Sequence, residues 1–285
     1  MIVLSTVLEL QTRLRKMDLN PVGFVPTMGA LHEGHLSLVQ SAVHACPVVV
    51  VSIFVNPTQF NDKNDLRNYP RTPENDLELL KQVLRDRDLV FTPEVNEIYP
   101  EEDMRVFHFG NLDNVMEALH RPGHFNGVAQ VVSRLFEIIQ PDIAFFGMKD
   151  FQQLAVIKSL VKQTNNKVKI IGNPIIREPD GLAMSSRNQL LDPEIRSHAT
   201  IIYRTISAVN DMIQTYDIPE IKSFVSDNIN SVPGFRVEYF EIADDTELIP
   251  VMKKDEIKKG NRYFGCIAVV AGKIRLIDNI EIGLV

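Results

Sequence analysis

Residues 26–35, PTMGALHEGH, constrain this chain more than any other stretch. An apolar run over 21–25 precedes them and reads as a buried strand. Behind them, over 36–45, Leu36, Leu38, Val39, Ala42 and Val43 recur at helical spacing. A second apolar run follows over 47–55. Strand, turn, helix, strand is a βαβ crossover, with its glycine-bearing loop at the carboxyl edge of the first strand.

Such a loop gathers backbone N–H groups and the positive end of a helix dipole, and both favour an anion. Gly29 lets the backbone approach a ligand, and Gly34 lets the chain turn into the helix with no side chain in the way. His32 and His35 lie three apart and face the same way in a first helical turn. The glycine patterns of dinucleotide-binding and P-loop folds are absent, and HxGH stands in their place. Two imidazoles there can donate hydrogen bonds and, when protonated, neutralise charge on a triphosphate. That suits stabilisation of a departing pyrophosphate. The spacing alone leaves open a metal-binding pair and a pair of ordinary, satisfied polar residues.

A chain of 285 residues has room for a full core and about two domains. The net charge of −7 argues against a general nucleic-acid surface, though a local basic pocket can still hold a polyanion. Cys46 and Cys266 form neither a CxxC nor a zinc spacing and read as buried apolar residues of a cytoplasmic, reducing compartment. The N-terminus lacks the order of a signal peptide, and no run reaches membrane-spanning length.

Along the chain, 5–16 reads as an amphipathic helix capped by Ser5 or Thr6. After the second strand, Asn56-Pro57 breaks the run and leaves Gln59 at the sheet edge where ligands sit in open α/β folds. Residues 61–67 read as a polar loop, 74–84 as a helix with Pro73 in its first turn, and 89–92 as a short strand. Asp76 is a candidate Mg²⁺ ligand, against the commoner reading of a solvated carboxylate. RPGHFNG (121–127) reads as a second glycine loop before a buried helix over 128–139, capped by Asn126. A strand over 141–146 delivers Gly147, Lys149, Asp150, Gln152 and Gln153 to the same sheet edge. A helix over 151–161 and a strand over 168–171 complete the first unit.

The character changes near Pro174. LAMSSRN follows, where Ser185, Ser186 and Arg187 make a plausible second phosphate clamp. Helices over 193–215 and 218–230 precede a small antiparallel sheet over 236–285. The expected architecture is therefore α/β. A Rossmann-like parallel sheet with helices on both faces (1–175) carries the site, and a smaller α+β domain with an antiparallel sheet (176–285) acts as a lid.

Taken jointly, PTMGALHEGH, SIFVNPTQF, YPRTP, RPGHFNGV, FFGMKDFQQ and GLAMSSRN resemble the pantothenate synthetase family over essentially the whole chain. The wider kinship is with HxGH nucleotidyltransferases and class I aminoacyl-tRNA synthetases, in which a mobile loop at the place of MSSR closes over ATP. The resemblance implies an AMP-forming ligase that condenses (R)-pantoate with β-alanine through a pantoyl adenylate, with ATP as substrate and Mg²⁺ as its counter-ion. It implies an ATP site of Met28, Gly29, Ala30, Leu31, His32, Glu33, Gly34 and His35 with Gly147, Met148, Lys149 and Asp150. Ile176, Met184, Ser185, Ser186 and Arg187 complete it. His35, His32, Lys149 and Arg187 would act in catalysis, with His35 as proton donor to pyrophosphate. Gln59 and Gln153 would orient pantoate, with Gln59 also lying near β-alanine, and Val131 and Val132 would pack the gem-dimethyl group of pantoate. Asn75 departs from the acidic pattern of some relatives, which bears on Asp76 as a metal ligand. The family also implies a homodimer. The rival reading is an HxGH nucleotidyltransferase acting on a phosphorylated small molecule, disfavoured by paired glutamines where an arginine cluster would be needed. A nucleotide-sensing module and a metal-dependent hydrolase are the remaining alternatives.

Overall fold

The computed structural model describes residues 1–283. Strands β1 (Ile2–Leu4), β2 (Val22–Thr27), β3 (Val48–Ile53), β4 (Leu89–Phe91), β5 (Ile143–Gly147) and β6 (Lys169–Asn173) form a parallel sheet in the order β1-β4-β3-β2-β5-β6. β3, reading VVVVSI, is buried along almost its whole length. Such a strand needs apolar cover on both faces, and crossover helices provide it. These are α1 (Val7–Met17), α2 (Glu33–Ala45), α3 (Lys63–Asn68), α4 (Pro73–Lys81), α5 (Val95–Ile98), α6 (Glu117–His120), α7 (His124–Ile139) and α8 (Phe151–Gln163). From β2 the chain winds outward through β3 and β4, then returns to lay β5 on the other side of β2. The winding direction reverses between β2 and β5, which opens a crevice at their carboxyl ends.

Beyond β6 come α9 (Pro193–His198), α10 (Ile201–Met212) and α11 (Ile218–Asn230). An antiparallel sheet follows, of β7 (Phe235–Asp244), β8 (Tyr263–Ala271) and β9 (Ile274–Glu281) in that order. Leu182, Ile206, Val225, Ile242 and Ile267 belong to an apolar cluster of this part alone, while Ala243, Phe264 and Cys266 pack into the core under the parallel sheet.

The α/β class, with a parallel and an antiparallel sheet, is as the sequence predicts; the edge strand β1 is absent from that reading, and four further local readings change. The 61–67 loop contains the helix α3, capped by Asp62. α7 begins at His124, so half of RPGHFNG is helical; Gly123, at φ +78°, precedes it. Asn126 lies inside α7 and accepts from the Phe107 N–H instead of capping. The 193–215 helix is interrupted at Ala199–Thr200, where no glycine or proline marks a break.

Candidate functional site

β2 delivers the HxGH loop to the crevice, and the loop is pinned from behind. Gly29 (φ +78°) and Ala30 (φ +48°) take left-handed conformations. Asp76, buried on α4, accepts the Leu31 N–H at 2.8 Å, the Ala30 N–H at 3.0 Å and the Thr72 hydroxyl at 3.0 Å. A Cβ at Gly29 would stand 2.9 Å from Asp76 Oδ2, so glycine is required by space as well as by φ. Asp76 is thus a strut of the loop. Its oxygens already take two backbone N–H groups and one hydroxyl, and it is buried, not the solvated carboxylate of the commoner reading.

His32 and His35 cap α2 reciprocally. His32 Nδ1 accepts the Gly34 N–H at 3.1 Å, and His35 Nδ1 accepts the His32 N–H at 3.4 Å. A backbone N–H can only donate, so each ring carries its proton on Nε2. The ring centroids lie 4.2 Å apart. Burial, with the Lys149 charge behind it, holds His32 down at about 4, and burial with the neighbouring His32 holds His35 at about 3. The pair is therefore neutral, so of the two roles the sequence allowed it is hydrogen-bond donation, through two Nε2–H groups, that the site presents. Gly34 makes this possible, because a Cβ there would lie 2.8 Å from the His32 ring.

The crevice encloses about 210 Å³. Its apolar side is formed by Phe54, Val128, Val131, Val132 and Leu135. Gln59, nearly fully buried, enters from the turn after β3, and Asn56 Nδ2 donates to its Oε1 at 3.2 Å. α7 can lie against that turn because residue 127 is glycine; a Cβ there would come 2.4 Å from the Thr58 carbonyl. Gln153 projects from α8, and Lys149 sits 3.6 Å from Asp150. Burial raises the Asp150 carboxyl, but the Lys149 and Arg187 charges outweigh it and keep the group below its ordinary range, hence ionised. Asn279, on β9, donates to the Met148 carbonyl at 2.9 Å and the Lys149 carbonyl at 3.1 Å. Opposite α2, Ser185 accepts the Arg187 N–H at 3.3 Å, and the Arg187 guanidinium reaches Asp65 at 3.1 Å.

The sequence pattern described as Pantoate-beta-alanine ligase matches residues 2–281. A pantothenate synthetase of Azobacteroides pseudotrichonymphae is 50% identical over 280 residues, covering 98% of this chain and 99% of the relative. The chain belongs to the pantoate–β-alanine ligase family. Among solved structures, the pantothenate synthetase of Thermus thermophilus superimposes with a TM-score of 0.89 at 42% identity, over 98% of this chain and 99% of that one. A pantoate–β-alanine ligase of Francisella tularensis, described as complexed with Beta-gamma ATP and beta-alanine, matches with a TM-score of 0.77 at 35% identity. It covers 98% of this chain and 97% of its own.

Within this ligase fold Met28, His32, Gly34, His35, Gly147, Lys149, Asp150 and Ile176 line one crevice with Met184, Ser185, Ser186 and Arg187. Gln59, Gln153, Val131 and Val132 line it too. Gly29, Ala30, Leu31, Glu33 and Met148 do not. Gly29, Ala30 and Leu31 shape the loop behind the crevice. Glu33 is exposed in the first turn of α2, and Met148 offers its carbonyl to Asn279. Sequence reasoning missed Asn56, Tyr69 and Asn279 as site residues. Asn56 was visible as the residue that ends the strand; Asn279 lies about a hundred residues from any motif and gave no signal.

Proposed function

We propose that this chain joins (R)-pantoate to β-alanine in two steps driven by ATP. In the first, a pantoate carboxylate oxygen attacks the α-phosphorus, the bond to the bridging oxygen breaks, and pyrophosphate leaves with the electron pair. In the second, the amine of β-alanine displaces AMP from the pantoyl adenylate. The observation that carries this reading is the meeting of unlike chemistries in one crevice. Two neutral Nε2–H imidazoles, Lys149, Ser185, Ser186 and Arg187 face the space beside an apolar wall bearing Gln59 and Gln153. The first group matches charge that develops on a leaving pyrophosphate. The second matches a branched hydroxy acid, with Val131 and Val132 against its methyl groups. No enzyme nucleophile is required, because the activated acyl group stays on the substrate.

His35 acts here as a hydrogen-bond donor poised beside the β-phosphate, and the incoming negative charge raises its affinity for a proton. Mg²⁺ is proposed to arrive with the triphosphate and to neutralise its oxygens. Among the described residues no three His, Cys, Asp or Glu side chains group as a metal site, and Asp150 is the one carboxylate on the crevice wall. Phosphate oxygens and water would then supply most ligands. From the family resemblance we also propose a catalytic domain over 1–175, a lid over 176–285 and a homodimer. A cytoplasmic home is proposed too: both cysteines are free and buried, and no helix of the described residues is long and apolar enough to cross a membrane.

The test is chromatography of the products from Mg-ATP, (R)-pantoate and β-alanine, omitting each acid in turn. AMP and pantothenate in equal amounts, only with both acids present, is the expected result. ADP would mean acyl-phosphate chemistry, and no turnover would return the nucleotidyltransferase and sensor readings.

A further inference from the structure

Arg121 lies in the short link between α6 and α7, and its guanidinium has only one polar side-chain partner among the described residues. It donates to His124 Nε2 at 3.1 Å, and His124 Nδ1 in turn donates to the Gln59 carbonyl at 2.8 Å. No carboxylate of the described residues lies within 4.0 Å of it. Glu117, the acid whose charge acts on it most, is already saturated: Arg275 grips both its oxygens at 2.7 Å and the Tyr239 hydroxyl adds a third bond at 2.7 Å. The other arginines without a carboxylate partner, Arg13, Arg15, Arg67, Arg71, Arg87 and Arg204, are all exposed. Arg121 is not, and burial weakens its hold on its proton. Part-burying a guanidinium with no acidic partner is costly, and an anion joining it offsets that cost.

The surroundings say which anion. A small cavity of about 40 Å³ is lined by Glu117, Arg121, His124, Lys149, Asp150 and Gln153. Lys149, Asp150 and Gln153 belong also to the wall of the main crevice, so the two spaces share one partition. On its other side Arg121 borders an open cleft of about 840 Å³ that also touches Lys273 and Arg275, a route for a small charged molecule. Lys149, Asp150 and Arg187 line this cleft as well, so a ligand entering there meets the guanidinium and the ionised Asp150 together, beside the partition to the reacting crevice.

We propose that Arg121 anchors the carboxylate of the second, amine-bearing substrate, and that the small cavity beside it holds the two-carbon spacer. This rests on the ligase reading above. A guanidinium takes a carboxylate in two parallel hydrogen bonds, which fixes direction as well as place. The ammonium end then faces Asp150 and the shared partition. After losing one proton the amine nitrogen attacks the acyl carbon of the pantoyl adenylate, the bond from that carbon to the AMP oxygen breaks, and AMP leaves with the electron pair. The nitrogen sheds its second proton as the amide forms. Such an anchor favours an amine that carries a carboxylate over one that lacks it.

The experiment separates the two half-reactions in Arg121→Met and Arg121→Lys. Pantoate-dependent ATP–pyrophosphate exchange needs no amine, and it reports whether adenylate forms. Pantothenate formation is then followed with β-alanine and with β-alaninamide, which lacks the carboxylate charge. The expected result is exchange that persists in both variants, with the β-alanine KM raised at least about tenfold in Arg121→Met, the size of one lost charged contact. The preference for β-alanine over β-alaninamide should vanish there and partly return in Arg121→Lys. An unchanged β-alanine KM would overturn the assignment, and so would loss of exchange in both variants. Absence of exchange in the unaltered protein would instead refute the ligase reading itself.

Discussion

On the α2 side of the crevice, the loop over 28–32 hangs from Asp76 by two backbone hydrogen bonds, and the rings of His32 and His35 are locked by the Gly34 and His32 N–H groups. On the facing side Arg187 leans on the part-exposed Asp65 at 3.1 Å and lies 5.7 Å from the Tyr69 ring centre. The first set of contacts is internal to the fold, and a ligand cannot compete for any of it. The second is a single ion pair near water, and a phosphate can take over the guanidinium from Asp65 at little cost. One wall is preorganised and the other is held in reserve, a division that favours binding first and enclosure second.

Removing a donor from the fixed wall should break this picture most visibly. His35→Ala is expected to slow adenylate formation by about 10²–10³, as for loss of one group aimed at developing charge. Rapid-quench measurement of pyrophosphate release in a single turnover checks it, and near-normal rates would remove His35 from the step. Asp76→Ala leaves the buried Ala30 and Leu31 N–H groups without an acceptor, and about 2–6 kcal/mol of stability should be lost at about 1–3 kcal/mol per orphaned group. Denaturant unfolding reads this directly. A loss confined to Mg²⁺ dependence, with stability intact, would restore Asp76 as a metal ligand.

The same wall makes stability depend on pH with a definite sign. His32 and His35 titrate at about 4 and about 3 in the fold, against 6.5 when free. Between those values the unfolded chain binds more protons than the native one, so stability is full above 6.5 and falls as the solution is acidified. His32→Asn and His35→Asn should each flatten the slope of unfolding free energy between these limits. A slope unaltered by both would show that the rings bind protons in the fold as they do in the unfolded chain. Gln153→Ala is expected to act more gently, raising the pantoate KM about tenfold while kcat holds, because an amide binds ground and transition states alike. A change in the ATP KM alone would move Gln153 out of the acid's pocket.

What could be read from the sequence follows the same division. The βαβ unit, the HxGH cap and the sheet edges bearing Gln59 and Lys149 are local patterns, since hydrophobic period and glycine position specify them within a few residues. What escaped is non-local. Asp76 and Ala30 are 46 residues apart, and Asn279 and Met148 are 131 apart. Gly127 could be seen as a glycine but not as the point where α7 meets the turn of Gln59. The histidine charge state was also out of reach, because it depends on burial that only the packed structure supplies.

The reserve wall yields the smallest effect and the sharpest contrast with Asp76. Asp65→Asn removes the partner of Arg187 without touching the loop it serves. A part-exposed ion pair contributes under about 1 kcal/mol, so the unfolding midpoint should barely move. With Asp65 neutral, Arg187 no longer has to be drawn from a carboxylate before it meets phosphate, and the ATP KM should fall slightly. If the pair were a structural clamp like Asp76, the same substitution would cost several kcal/mol of stability and raise the ATP KM. Measured side by side, the Asp65 and Asp76 variants decide whether the two walls are held differently, because one mode of attachment throughout the crevice would give both the same response.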